Sequence, residues 1–351
     1  MTSPAPISPQ NLDGQHHDAV ENAIELKDVE GLSQGRIVVR RFLRHRGAMV
    51  AAFVLTAVVL LAYTSIGVGP LPGWWKYQPN DLSPIVNAGG APTLSFSGGL
   101  TVGEHPLGQD NVGRDVFALV MRGTQTSLLV MFIVGILSSA IGIAVGAVAG
   151  YFRGRLDNVI MRFTDMIITI PVIMIGAILG RWVGGATPVI LAIALSLVTW
   201  TTMARLVRGE FLALREREFV DAARVAGASD VRIMFKHILP NAIGVMIVNA
   251  TLLMASAILL ETALSYLGFG ISFPNTSLGT LINDYQSAFA TRPWLFWWPG
   301  LFIVTIALCI NFLGDGLRDA FDPRQRRIPT RRALARADRR AAKARPATAT
   351  V

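Results

Sequence analysis

Six apolar runs constrain this sequence more than any other feature. They lie at roughly residues 48–68, 127–150, 158–180, 187–204, 241–263 and 298–314. Each is close to the ~20 residues that cross a hydrocarbon core of about 30 Å. Only 16% of the residues are charged, against about 25% in a soluble domain, and the mean hydropathy is +0.48. Inside lipid a chain must satisfy its own backbone polar groups, and single runs do so as helices. The expected fold class is an all-α integral membrane protein with six transmembrane helices. The third run starts polar, with Arg162 and Asp165, and holds Pro171, which predicts a kink.

The net charge of +9 is placed between and beyond the runs, which reads as a topology signal rather than a nucleic-acid surface. With the N-terminus inside, only Lys76, Arg114, Arg122, Arg181 and Arg292 of the 32 basic residues fall in outer segments. Both termini are therefore expected in the cytoplasm. Trp74 and Trp75 after the first run, and Trp294, Trp297 and Trp298 before the last, read as aromatic anchors at the outer interface.

The domain plan follows. Residues 1–47 form a cytoplasmic tail, polar over 1–30 and ending in RIVVRRFLRHR (36–46), a basic helix suited to the membrane surface. Residues 48–317 are the six-span domain, with a Gly- and Pro-rich outer loop at 69–126 and a charged inner loop at 204–240. Residues 318–351 are a basic tail suited to anionic lipid, and membrane lipid is the expected partner of both tails. The lone Cys309 lies within an apolar run and reads as a small hydrophobe. Gly142, Gly146 and Gly150, spaced by four, mark a helix face that another backbone can approach, within this chain or across a subunit contact.

The inner loop is the most informative stretch. Over 215–241 it reads REREFVDAARVAGASDVRIMFKHILPN. Good helix formers run to Ala226, and Gly227 follows as a C-terminal cap. Ser229 is placed to cap a second helix, in which Val231, Met234, Phe235 and Ile238 share a face. Pro240 then opens the fifth span. A helix–turn–helix bracket is expected, either packed on its own membrane domain or docked on a partner. Ala222, Ala223 and Gly227 beside acidic Asp221 form a smooth surface that suits docking.

The bracket resembles the "EAA" loop of ABC importer permeases: Asp221-Ala222-Ala223, then Gly227, then Leu239-Pro240. It departs from that pattern at Asp221, where the family has Glu, and at His237, where it has Ile. HPLGQDNVGRDVFALVMRGTQTSL (105–128), LSYLGFG (264–270), PWLFWWPG through NFLGDGLRDAFDPR (293–324) and the approach to the first span, RRFLRHRGAMVAAFVL, look like the C-type permeases of the peptide and nickel branch. The resemblance covers about residues 36–324. It implies a type I importer permease with a cytoplasmic coupling loop, paired with a B-type permease, cytoplasmic ATPases and an extracytoplasmic peptide-binding protein. It assigns ATPase coupling to Asp221, Ala222, Ala223, Gly227, Ala228, Ser229, Asp230, Leu239 and Pro240. The resemblance implies oligopeptides or dipeptides as cargo, with nickel or another small solute as the alternative.

None of the four lysines follows a glycine, so the chain carries no GxxxxGK[ST] phosphate loop. ATP and Mg are expected on the partner ATPases, with no cofactor, metal or catalytic residue on this chain. A secondary transporter or channel subunit would need inverted repeats and paired intramembrane acids, and neither is evident. Among ionisable residues in or near the spans, Asp165 is expected to pair with Arg162. Glu261 either faces a translocation path or reaches the interface. Asp315 and Arg318 are expected to close the last helix near a GDG turn.

Overall fold

The computed structural model describes residues 34–94, 102–182 and 187–321. The expectations for residues 1–33 and for the basic tail from 322 lie outside these. A basic helix, α1 (Gln34–Arg44), leads into α2 (Arg46–Ser65). A two-stranded hairpin, β1 (Gly67–Val68) and β2 (Leu71–Pro72), closes the far end of α2. The described residues between this hairpin and α3 (Val116–Phe152) form no long element, and α4 (Gly154–Thr169) and α5 (Val172–Trp182) follow α3. After α6 (Pro188–Thr199) and α7 (Thr201–Arg215) comes the short α8 (Glu218–Val225). The long α9 (Asp230–Tyr266), α10 (Leu278–Tyr285) and α11 (Pro293–Phe321) complete the described chain.

By length and composition, α2, α3, α9 and α11 can each cross a membrane. The bent pairs α4–α5 and α6–α7 bring the number to six if each pair is one span. The first pair turns by 81° at Pro171, which supplies no N–H to a helix and crowds the preceding turn. The second turns by 43° at Trp200. The helices overrun the expected boundaries. α3 begins eleven residues before the apolar run does, because Asp115 caps it by accepting from the Ala118 N–H at 2.7 Å, so residues 116–126 are helix rather than outer loop. α7 likewise continues to Arg215 as a polar extension. α11 passes straight through Gly314-Asp315-Gly316. No turn forms there because both glycines serve as contact points: a Cβ on Gly316 would lie 2.3 Å from the Ala48 Cβ, and one on Gly314 would lie 2.6 Å from the Thr251 hydroxyl.

The glycine row of α3 is filled from within the chain, by α7. A Cβ on Gly142 would meet the Trp200 carbonyl at 2.8 Å, one on Gly146 the Ala204 carbonyl at 2.4 Å, and one on Gly150 the Arg208 carbonyl at 2.7 Å. Backbones in hydrocarbon associate through such van der Waals approach, since lipid gives no apolar driving force of its own. Ion pairs finish this end of the bundle. Arg208 makes a two-pronged contact with Asp157, at 2.6 and 2.7 Å, and Arg153 reaches Glu216 at 2.7 Å. Asp165 pairs with Arg205 rather than with Arg162, since α7 lies alongside α4 and offers a guanidinium from a neighbouring helix.

Half-buried Ile37, Val38 and Phe42 of α1 lie on the side packed toward α11, with Phe42 against Gly316. Val39 and Leu43 stay exposed, the amphipathic arrangement expected of an interfacial helix.

The glycine contacts lead to a paired test. Gly146→Ala should destabilise the detergent-solubilised protein by about 1–3 kcal/mol, the usual cost of overpacking. Gly209→Ala, whose Cβ meets nothing within 4 Å, should be neutral or stabilising by up to about 1 kcal/mol. Thermal unfolding of the two variants side by side checks the contrast.

Candidate functional site

The bracket is built from α8, a four-residue turn and the start of α9. α8 ends in two hydrogen bonds that define a Schellman cap. The Ala228 N–H reaches the Ala223 carbonyl at 3.0 Å, and the Gly227 N–H reaches the Arg224 carbonyl at 2.9 Å. Gly227 sits between them at φ +78°, a conformation that costs glycine nothing and side-chain-bearing residues a good deal. Ser229 then stands at the head of α9 in extended conformation, with no side-chain capping bond.

The second arm is not a separate helix. α9 runs unbroken from Asp230 through Leu239 and Pro240 to Tyr266, so the bracket opens directly into the fifth span. Its first turns include a π segment over Ile233–Ile238. In that geometry the repeat is five residues rather than four, and Ile233 and Ile238, five apart, are both wholly buried. The expected face of Val231, Met234, Phe235 and Ile238 is therefore split. Met234 and Ile238 pack inward with Val220 and Ala223, while Val231 and Phe235 stand more than half exposed.

This corrects the expected docking surface. Ala223 is buried against the membrane domain and offers nothing to a partner. Ala222 and Gly227 do face outward, joined by Val225, which is 91% exposed. Asp221 lies on the rim, paired with Arg224 at 3.0 Å. Ala228 and Leu239 are half-buried, whereas Ser229 and Pro240 are exposed. Three large apolar side chains, Val225, Val231 and Phe235, thus surround the turn uncovered. A polar tie fixes it to the bundle: the Tyr151 hydroxyl of α3 donates to Asp230 at 2.6 Å.

The opposite end carries a buried polar network that sequence reasoning missed as a site, although the HPLGQD–GRD motif spells most of it. Asp115 accepts from the Ala118 N–H and from the Trp75 indole with one oxygen, and its other oxygen lies 2.7 Å from His105 Nδ1. Asp110 takes the Val112 and Arg114 N–H groups on one oxygen. Its other oxygen holds the Arg114 guanidinium at 2.7 Å and the Tyr285 hydroxyl at 3.1 Å. Burial, reinforced by the Asp110 carboxylate, pushes the Tyr285 phenol well above its ordinary value, so it stays a neutral donor. Trp75, expected as an interfacial anchor, is a partner in this network. Glu261, expected to line a path or reach the interface, does neither. It is wholly enclosed by the chain.

Residues 142–327 match the family of binding-protein-dependent transport system inner membrane components. Residues 33–88 match the N-terminal transmembrane domain of oligopeptide transport permease C. This chain belongs to the family of ABC importer permeases. Among its relatives, the oligopeptide transport system permease protein OppC of Mycobacterium tuberculosis is 38% identical over 300 residues, which is 85% of this chain and 98% of the relative. The OppC protein of Haemophilus influenzae is 35% identical over 321 residues, covering 92% and 98%. Among solved structures, inward-facing MetNI methionine ABC transporter aligns at 21% identity over 58% of this chain and 97% of that one, with a TM-score of 0.48. The expectation of a multi-pass membrane protein of the importer permease kind holds.

The Tyr151–Asp230 bond should carry the order of the bracket. Tyr151→Phe should speed amide hydrogen exchange across residues 226–235 by about tenfold, the equivalent of one charge-assisted hydrogen bond, and leave exchange in α3 unchanged. Peptide-level exchange mass spectrometry reads both.

Proposed function

We propose that this chain is the C-type permease of an ATP-driven importer of oligopeptides or dipeptides. In this reading it lines half of a translocation path and works by alternating access. A homologous B-type permease supplies the other half, an extracytoplasmic peptide-binding protein delivers cargo, and cytoplasmic ATPases bind ATP and Mg and hydrolyse the nucleotide. The names of the relatives favour peptide over nickel as cargo. The distribution of basic residues supports both termini in the cytoplasm, with the bracket on that side and the buried polar network outside.

The observation that carries the reading is the bracket itself. Val225, Val231 and Phe235 are left exposed around a turn rigidified by the Gly227 cap. An exposed apolar cluster beside polar residues fits a protein interface, and in a coupling role the ATPase covers it. Because α9 is continuous, a push on the turn at Ser229 and Asp230 is delivered straight into the fifth span.

Gly227→Val tests the coupling. The side chain has open space around it but an unfavourable φ, so the expected damage is to the turn and not to the membrane domain. Peptide uptake should fall by about fivefold or more, as a strained turn costing about 1–3 kcal/mol would give, and the ATPase should no longer co-purify. Unchanged uptake and association would remove the bracket from the mechanism.

Orientation is tested by single cysteines at Leu82→Cys and Val225→Cys, both sites well exposed, with the buried Cys309 replaced by serine. A membrane-impermeant thiol reagent applied to intact cells should label only the first. Labelling of the second would invert the topology.

A further inference from the structure

Glu261 is the one wholly buried acid in the long helix α9. A carboxylate at such depth is costly unless its lone pairs are satisfied. Both oxygens are. One accepts from the Ser127 hydroxyl of α3 at 2.9 Å, and the other accepts from the Ser265 hydroxyl one turn further along α9 at 2.7 Å. A serine hydroxyl has one proton to give and lone pairs left to accept with. Here each serine gives its proton to Glu261 and accepts a backbone N–H from the chain that returns after α9. Ser127 takes the N–H of Leu278, the first residue of α10, at 3.2 Å. Ser265 takes the N–H of Ile271 at 3.2 Å.

The carboxylate therefore sets the direction of four hydrogen bonds and, through these two hydroxyls, holds two points of one segment, while the Ser277 hydroxyl of that segment also faces it. The packing is arranged for that grip. A Cβ on Gly123 would lie 3.0 Å from the Ser277 carbonyl carbon, and one on Gly279 would lie 2.8 Å from the Thr262 backbone. Glycine at both positions lets the head of α10 settle onto α3 and α9 together. At the other end of α9, Asp230 is bonded to Tyr151, also of α3. The same two helices are thus tied at both ends by a carboxylate and a hydroxyl, with the coupling turn at one tie and the segment 267–285 at the other.

We propose that Glu261 is a positioning residue that makes segment 267–285 a rigid extension of the fifth span. Displacement of the bracket is thereby delivered to the far side of the membrane domain. This rests on the importer reading above for what the displacement accomplishes. The hydrogen-bond clamp itself rests only on the geometry.

The test uses the assembled transporter, with its ATPases and binding protein, in proteoliposomes. Glu261→Gln keeps the shape and replaces one acceptor oxygen with a donor, so that one serine loses its partner. Oligopeptide uptake per ATP hydrolysed should fall by about tenfold while ATP turnover stays within about twofold of wild type, and exchange of amides in 267–285 should rise by about tenfold, as expected for loss of one buried hydrogen bond. Ser127→Ala should give the same uncoupling, and adding it to Glu261→Gln should add little, as for two members of one network. If Glu261→Gln does not assemble, Ser127→Ala decides alone. Wild-type uptake per ATP together with wild-type exchange in the assembled variant overturns the proposal. Should the wild-type complex move no peptide, the importer reading falls, and the exchange comparison still decides the clamp: faster exchange upholds it, equal exchange overturns it.

Discussion

Where α3 meets α7, one helix gives up its side chains at three positions so that Met203, Val207 and Phe211 of the other can press against its backbone. At Gly142, Gly146 and Gly150 the backbone of one helix lies against the carbonyls of the other; beyond the last glycine Arg153–Glu216 joins the ends of the two helices and Arg208–Asp157 ties α7 to α4. In lipid such close contact is what holds helices together, because apolar surface gains nothing by leaving hydrocarbon. α3 also packs on α2, α6, α9 and α10, so its position decides theirs. The bracket inherits this order: Val220, Ala223 and Ile233 of the bracket share a buried cluster with Val207 and Phe211 of α7. The bracket's turn is therefore mounted on the closely packed α3–α7 pair.

Much of this was legible in the sequence because it is local. Apolar runs announce spans, Pro171 announces a bend, glycines spaced by four announce close approach, and Gly227 after a run of helix formers announces a cap. Each inference needs only neighbours along the chain. What escaped depends on partners far along it. Asp165 has Arg162 three residues away but finds Arg205 on another helix. Asp110 and Tyr285 meet across 175 residues of sequence, and Glu261 meets Ser127 across 134. Periodicity fails at Ile233 and Ile238 for a different reason. It assumes a regular α-helix, and a π turn moves the buried stripe by one residue for each repeat.

The two ends of the domain use polarity differently. At the bracket end most charges sit near the surface, with Asp157 buried beneath Arg208, and an apolar cluster faces outward. At the other end the charges are buried: His105, Asp110 and Asp115 are nearly inaccessible, and the segment between α2 and α3 is shaped by side-chain bonds to backbone N–H groups rather than by regular elements. Low dielectric strengthens such bonds and penalises any left unmade. Its described residues near Asp110 and Asp115 are therefore ordered by these bonds, with little helix or strand among them.

The break between α4 and α5 has a consequence for the chain in isolation. At Thr169–Pro171 the backbone turns by 81° between two apolar helices, and those residues are exposed on this chain. Irregular backbone at membrane depth survives only when protein covers it or water reaches it. The Ile170 N–H meets the Ile167 carbonyl at 3.3 Å and the Met174 N–H meets the Pro171 carbonyl at 2.9 Å, so the elbow answers part of that demand from within the chain. What it leaves open is the outer face of Thr169, Ile170 and Pro171, so a bend written into the chain by a single proline sets where neighbouring protein or water would have to meet it.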